Sequence, residues 1–215
     1  VLECMRIQTI NKLVFSSSAT VYGNPDIFPT PEKNNLLQTS TYGASKAAGE
    51  SMIQAYSEYY DIKSWTFRFV SWIGERYTHG VIFDFMRKLS KDKKSLEILG
   101  DGSQNKSFLY VKDGVEAIFK AISLDKGDKS IFNLGNEYGL DVISIADIIC
   151  DELGLLDVEY VFKGEKVGWK GDSPRVLLNL EKIKRLGWKP KISIEEGIRR
   201  TVSYLSANDS LYILK

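Results

Sequence analysis

The chain has few of the residues that build metal or disulfide sites. It contains two cysteines, Cys4 and Cys150, far apart and in no metal-ligand or disulfide spacing, and one histidine, His79. This usage excludes a disulfide framework and suits reduced thiols that pack as small apolar groups in a reducing cytoplasm. No apolar run approaches the length of a membrane span, and no signal peptide, internal repeat or low-complexity tract is visible. Charge of one sign is also missing: 29 basic and 28 acidic residues leave a net charge of +1. That balance gives no general attraction to nucleic acid or to anionic membrane. Small anionic ligands remain compatible with it, since they need only a few local cations.

What is present is an alternation of apolar strands and amphipathic helices over 215 residues, 43% of them hydrophobic, enough for a sizeable core. Residues 1–10 read as the tail of a helix whose start lies upstream, so the N-terminus reads as a truncation. Leu13, Val14 and Phe15 form a buried-strand candidate running into Ser16, Ser17 and Ser18; residues 24–39 read as loop. Ala44, Ala47, Ala48, Met52, Ala55 and Tyr56 fall at helical spacing through Tyr60. Residues 65–70 and 131–134 are further strand candidates, 80–89 a helix, Gly100-Asp101-Gly102 a turn, and 108–111 extended. Asp113 is expected to cap the helix that follows. Ser144 with Asp147, and Ser193 with Glu196, have capping-box spacing, and 180–186 reads as a short helix stopped by Gly187. The pattern predicts an α/β fold with a parallel sheet.

Tyr42 and Lys46 lie four residues apart on a predicted helix, so both project from one face. A lysine ammonium beside a phenol favours the phenolate, which can then act as a general base near neutral pH. The pair alone is weak, because about one or two Tyr-x-x-x-Lys/Arg pairs are expected by chance in this composition, and Tyr59 with Lys63 is a decoy. Context separates them. Tyr42 opens a helix rich in small residues after a strand that ends in three serines, whereas Tyr59 lies at a polar helix end.

Ser16-Ser17-Ser18-Ala19-Thr20-Val21-Tyr22-Gly23, followed by Tyr42-Gly43-Ala44-Ser45-Lys46, resembles the active-site half of the UDP-glucose 4-epimerases, within the NAD-dependent epimerase/dehydratase (extended short-chain dehydrogenase) family. Residues 67–74, 78–85, 98–102 and 168–172 resemble the segments that follow in that family, particularly in archaeal-type members, and the likeness extends to about Leu205.

The resemblance implies a Rossmann-like parallel sheet, represented by its C-terminal half (1–74 and 107–136), and a smaller α+β nucleotide-sugar lobe (75–106 and 137–205), with 206–215 as a tail. It implies NAD as cofactor, a UDP-hexose substrate epimerised at carbon 4 through a 4-keto sugar, a homodimeric full-length parent and a cytoplasmic enzyme of carbohydrate metabolism. No metal, nucleic acid or membrane partner is implied. Tyr42 would be the base, Lys46 the ribose and phenolate partner, and Ser18 the hydrogen-bonding shuttle. Ser16, Tyr42, Lys46, Phe69 and Val70 would hold the nicotinamide half of NAD. Ser18, Ser71, Gly80, Val81, Leu99, Lys106, Asp172 and Arg175 would contact the substrate, with uracil in the loop from Leu99 and the diphosphate at the helix start of Gly80 and Val81. His79 is expected near the diphosphate rather than as a base, and Trp65, Trp72 and Trp188 are expected to pack.

The departures from the family are specific. Ala19-Thr20 stand where 4,6-dehydratases of this family carry Asp-Glu, which disfavours elimination of water. Lys106 stands where arginine is usual, Ser71 where asparagine is usual, and the arginine usual shortly before Asp172 is missing, with Arg175 as the substitute. Neither a glycine-rich turn after a first strand nor the acidic residue about 20 positions on is present. Two other readings follow: a non-catalytic fragment or one piece of a split enzyme, which alone binds NAD weakly and self-associates through exposed edges, and a nucleotide-sugar reductase or decarboxylase sharing Tyr42 and Lys46.

Overall fold

A computed structural model describes residues 1–164 and 173–208. In chain order the elements are α1 (Leu2–Ile7), β1 (Lys12–Ser16), a 3-10 turn (Ala19–Tyr22), α2 (Thr41–Tyr60), β2 (Lys63–Phe69), β3 (Ser71–Ile73), α3 (Val81–Lys91) and β4 (Ser95–Leu99). They continue with β5 (Asn105–Lys106), β6 (Phe108–Tyr110), α4 (Val111–Leu124), β7 (Lys129–Leu134), β8 (Leu140–Asp141), α5 (Val142–Glu152), β9 (Glu159–Lys163), β10 (Arg175–Val176), α6 (Glu181–Lys184) and α7 (Ile194–Ser206). The fold is α/β, as the alternating pattern predicts. No described helix is long and apolar enough to cross a membrane.

The principal sheet has the order β1-β2-β7 and is parallel throughout, with Lys12 opposite Lys63 and Ser64 opposite Lys129. Parallel neighbours need a crossover, and α2 supplies it between β1 and β2. β2 is covered on both faces, with Ser64 to Arg68 all buried, the Arg68 charge among them. Smaller parallel pairs are β3 with β6 and β4 with β9, and β5 lies between β10 (parallel) and β8 (antiparallel).

Two hydrophobic clusters result. One gathers around the principal sheet and includes Val21, Tyr22, Trp65, Phe67, Phe132 and Leu134. Leu178, Leu180, Ile183 and Trp188 pack with this cluster, although they lie in the 137–205 segment. The second is built by α3, α5 and α7 over β4, with Ile82, Phe85, Leu89, Ile145, Ile149 and Ile198 among its members.

Several helix starts differ from expectation. Asp113 does not cap α4: the helix begins at Val111 with Tyr110 as N-cap, and the buried Asp113 carboxylate instead accepts from the backbone N–H groups of Lys191 and Ile192, both at 2.9 Å. Ser144 does not cap α5 either. Asp141 takes that place, accepting from Ser144 N at 2.7 Å. Ser193 does cap α7, accepting from Glu196 N at 3.1 Å. The short helix expected over 180–186 is trimmed to Glu181–Lys184, and the chain leaves it through Gly187 at φ +75°.

Candidate active site

The site forms where β1 and β2 end. Ser17 and Ser18 follow β1, and Phe69 ends β2 with Val70 next after it. Both pairs sit at the carboxyl edge of parallel strands, the place where open α/β sheets bind ligands. Ser18 caps the 3-10 turn, its Oγ accepting from Thr20 N at 3.2 Å. The first turn of α2 lies directly on that turn: a Cβ at Gly43 would stand 2.5 Å from the Thr20 carbonyl oxygen. Only glycine allows this approach. Ser40 starts α2, its Oγ accepting from Gly43 N at 3.1 Å, and so fixes where the helix begins.

Tyr42 is thereby placed in the first turn with its side chain 54% exposed at the mouth of the cleft. Lys46, one turn on, donates to the Ser16 carbonyl at 2.8 Å, and its Nζ lies 5.7 Å from the Tyr42 ring centre. The pair proposed from spacing is therefore brought together beside the β1 terminus. The decoy is not. Tyr59 is 81% exposed, and Lys63 sits over the Trp65 ring at 5.0 Å and donates to the Asp125 carbonyl.

The cleft has a volume of about 1000 Å³. Of the residues singled out in the sequence, Ser18, Tyr42, Phe69, Val70, Ser71, Gly80, Val81, Leu99, Lys106 and Arg175 line it. Ser16 and Lys46 do not line it, and reach it through the Lys46 contacts to the Ser16 carbonyl and the Tyr42 ring. Asp172 and the 168–172 motif lie outside the described residues.

On the far wall α3 starts at Val81 with Gly80 as N-cap, at φ +87°, where a Cβ would collide with the Tyr77 hydroxyl. Gly80 and Val81 line the cleft, and a helix start of this kind is suited to an anion. His79 stacks on Tyr77 with ring centres 5.6 Å apart. Burial pushes the Tyr77 phenol far above its usual range, so it stays neutral. Lys106 donates to the Ser173 carbonyl, and the Arg175 guanidinium lies over the Phe28 ring at 4.7 Å. Trp65 and Trp188 are buried as expected. Trp72 does more than pack: its ring abuts Gly114 and also lines the cleft, edge-on to Phe69 at 4.5 Å.

Ala19 and Thr20 also line the cleft and offer no carboxyl group. Among the described lining residues the one carboxylate is Asp84, which is already paired with Arg87 at 2.9 Å and Lys88 at 2.8 Å.

Sequence reasoning missed what stands beneath the pair. Glu50 and Arg68 form an ion pair at 2.6 Å with both side chains 3% exposed. Arg68 also donates to Tyr22 Oη at 2.9 Å and to the Glu32 carbonyl at 2.8 Å, and Tyr22 donates to Asn133 Oδ1 at 2.7 Å. Burial raises the Tyr22 phenol to about 12. For Arg68 burial works against the charge, but hydrogen bonds to Glu50 and Tyr22 outweigh it and hold the guanidinium above its ordinary value. A signal did exist: Glu50 continues the Tyr42, Lys46 spacing by one more turn and so lies on the same face.

The sequence profile of the NAD-dependent epimerase/dehydratase family matches residues 1–135. The chain belongs to that family. It is 36% identical over 217 residues to the "Putative UDP-glucose 4-epimerase" of Methanocaldococcus jannaschii, a match covering 97% of this chain and 68% of that protein. It is 33% identical over 208 residues to the dTDP-D-glucose 4,6-dehydratase of Mus musculus, covering 93% and 57%. Among solved structures it is similar to the UDP-glucose 4-epimerase of Thermotoga maritima with UDP-glucose, at 31% identity and a TM-score of 0.86, covering 96% of this chain and 67% of that one. The chain thus spans 57–68% of the length of these curated relatives. The family depends on NAD, and the exposed Tyr42 phenol and half-buried Lys46 of α2, beside the β1 terminus, fit the nicotinamide end of such a cofactor.

Proposed function

We propose that this chain carries the catalytic and nucleotide-sugar face of a 4-epimerase that interconverts UDP-hexoses. The observation that carries this reading is the pairing of Tyr42 and Lys46 at the β1 terminus in a cleft whose Ala19-Thr20 wall has no acid. Elimination of water from a sugar needs an acid and a base beside the reacting carbons. The mouse dehydratase relative names that chemistry, but Asp84, on α3 and doubly paired, is poorly suited to supply it.

NAD, when bound, supplies the reversible oxidation at carbon 4. Ser16, Tyr42, Lys46, Phe69 and Val70 would hold its nicotinamide half. Tyr42 Oη takes the proton from the sugar 4-hydroxyl and later returns it. Lys46 places positive charge beside the phenol, and Ser18 Oγ hydrogen-bonds the reacting oxygen. On the opposite wall the α3 N-terminus at Gly80 and Val81 meets the diphosphate, with Lys106 and Arg175 as nearby cations, Ser71 beside the sugar, and the loop from Leu99 against the base. A lysine at position 106 meets phosphate as a point charge, without the two-pronged geometry of arginine.

Exposed Val1, Ile7 and Ile10 beside α2's Met52, Tyr59 and Tyr60 form the face through which we expect the whole protein to pair. Light scattering should give a dimer, and a monomer at micromolar concentration would count against it.

The functional reading is tested by supplying the whole protein with NAD and UDP-galactose and following the product by NMR. UDP-glucose as the product supports the reading. A 4-keto-6-deoxy sugar would replace it with dehydration.

A further inference from the structure

The three serines after β1 are each held in a different way. The Ser16 carbonyl accepts Lys46, the Ser18 hydroxyl caps the 3-10 turn, and the Ser17 hydroxyl turns away into the protein and donates to Glu50. Glu50 uses both carboxylate oxygens. Oε1 accepts from Ser17 Oγ and from Arg68 Nε at 3.0 Å, and Oε2 accepts from Arg68 Nη2 at 2.6 Å. The backbone of Ser17 is tied as well, its N–H donating to the Phe67 carbonyl of β2 at 2.8 Å. Lys46 and Glu50, one turn apart on α2, thus grip consecutive residues of the segment that carries Ser18, while Arg68 fastens Glu50 to β2.

A buried ion pair is a poor way to gain stability, because desolvation offsets its attraction. Its value here is geometric. Three elements must agree for the proton-transfer groups to meet: the β1 terminus with Ser18, helix α2 with Tyr42 and Lys46, and β2, whose end forms the nicotinamide wall. The Glu50 carboxylate is the atom group that touches two of these elements from the third. It does not line the cleft and so touches no substrate.

We propose that Glu50, clamped by Arg68 and acting through Ser17, is a positioning residue that sets Ser18 and Lys46 relative to Tyr42. The proposal deepens the reading of this cleft as a proton-transfer site and rests on it. Loss of the Ser17 contact frees the segment by a fraction of an ångström, and small displacements of reacting groups reduce rates steeply.

The test uses Glu50→Gln, Ser17→Ala and the double variant in the whole protein, with kcat, KM for UDP-galactose and Tm read together. Ser17→Ala leaves the ion pair intact and so keeps the test open if Glu50→Gln folds poorly. The expected result is a fall in kcat of about ten- to a hundredfold in each single variant with KM nearly unchanged, and a double variant little worse than either, because both act through one contact. Single variants with wild-type kcat and a lowered Tm would overturn the proposal and leave the network a purely structural one. If the wild-type protein turns over no nucleotide sugar, the functional reading fails, and the positioning claim is decided by NMR of the chain labelled at tyrosine Cζ, with the Tyr42 signal assigned through Tyr42→Phe. A Tyr42 signal displaced by Ser17→Ala supports positioning, and an unmoved one overturns it.

Discussion

The cluster around β1-β2-β7 and the cluster of α3, α5 and α7 both bury large aliphatic and aromatic side chains, but the first also encloses charge. Against it lie Glu50, Arg68, Ser17 and Asn133, each no more than 3% exposed. The second holds Ile82, Phe85, Leu89, Ile145 and Ile198, and the buried hydroxyl of Thr201 is satisfied within its own helix by the Gly197 carbonyl at 2.7 Å. An apolar cluster gains stability from area and tolerates changes that conserve volume. A buried polar network gains little net stability but admits few alternative arrangements, since each unpaired member is costly. The charge lies beneath Tyr42 and Lys46, the pair to which we assign proton transfer, and the apolar cluster includes Phe85 of the cleft wall, with Val81 of the same wall packed against it.

That comparison can be broken by substitution. Glu50→Ala leaves the Arg68 guanidinium buried without its counter-charge and should destabilise the fold by about 3–5 kcal/mol, measured by urea unfolding. A loss below 1 kcal/mol would mean that water reaches Arg68 and that the first cluster is not dry. High pH gives a somewhat smaller effect. The folded state holds the Tyr22 phenol at about 12 against an ordinary 10.0, so folding favours its neutral form. The stabilisation is complete below pH 10 and is lost as pH rises through 10 toward 12, amounting to about 2–3 kcal/mol. Tyr22→Phe should flatten that part of the stability curve, and an unchanged curve would contradict the assignment. The smallest effect belongs to the second cluster. Ile198→Val should cost about 0.5–1.5 kcal/mol at pH 7, because it removes one buried methylene from an apolar cluster. A loss above about 3 kcal/mol there would erase the distinction between the clusters.

The sequence made the α/β alternation and the Tyr42–Lys46 pair legible because both rest on short-range periodicity. Helix starts were less readable. Ser144 and Asp113 have the residue types of caps, but Asp141 lies three residues before Ser144 and captures its N–H first, while Asp113 is drawn to the 191–192 backbone by tertiary packing. No local pattern encodes that contact, which joins residues 78 positions apart. The spacing puts Glu50 on the Tyr42 and Lys46 face, but its burial and its partner are not legible, for a related reason. An acidic residue in a helix with a polar outer face resembles a solvated one, and its buried partner Arg68 comes from a strand 18 residues on. Indole size signals burial, so sequence alone points to packing for Trp72, whereas the structure gives it a share in the cleft wall as well.

The central claim is that Tyr42 moves the proton in this cleft. The most direct measurement is turnover of UDP-galactose by Tyr42→Phe in the whole protein, set beside the affinity of the same variant for UDP. Removing one phenolic oxygen should lower kcat by about two to four orders of magnitude and leave UDP binding within about twofold, with Tyr59→Phe unchanged in both. Turnover by Tyr42→Phe equal to that of the wild type would remove Tyr42 from the mechanism and contradict the account.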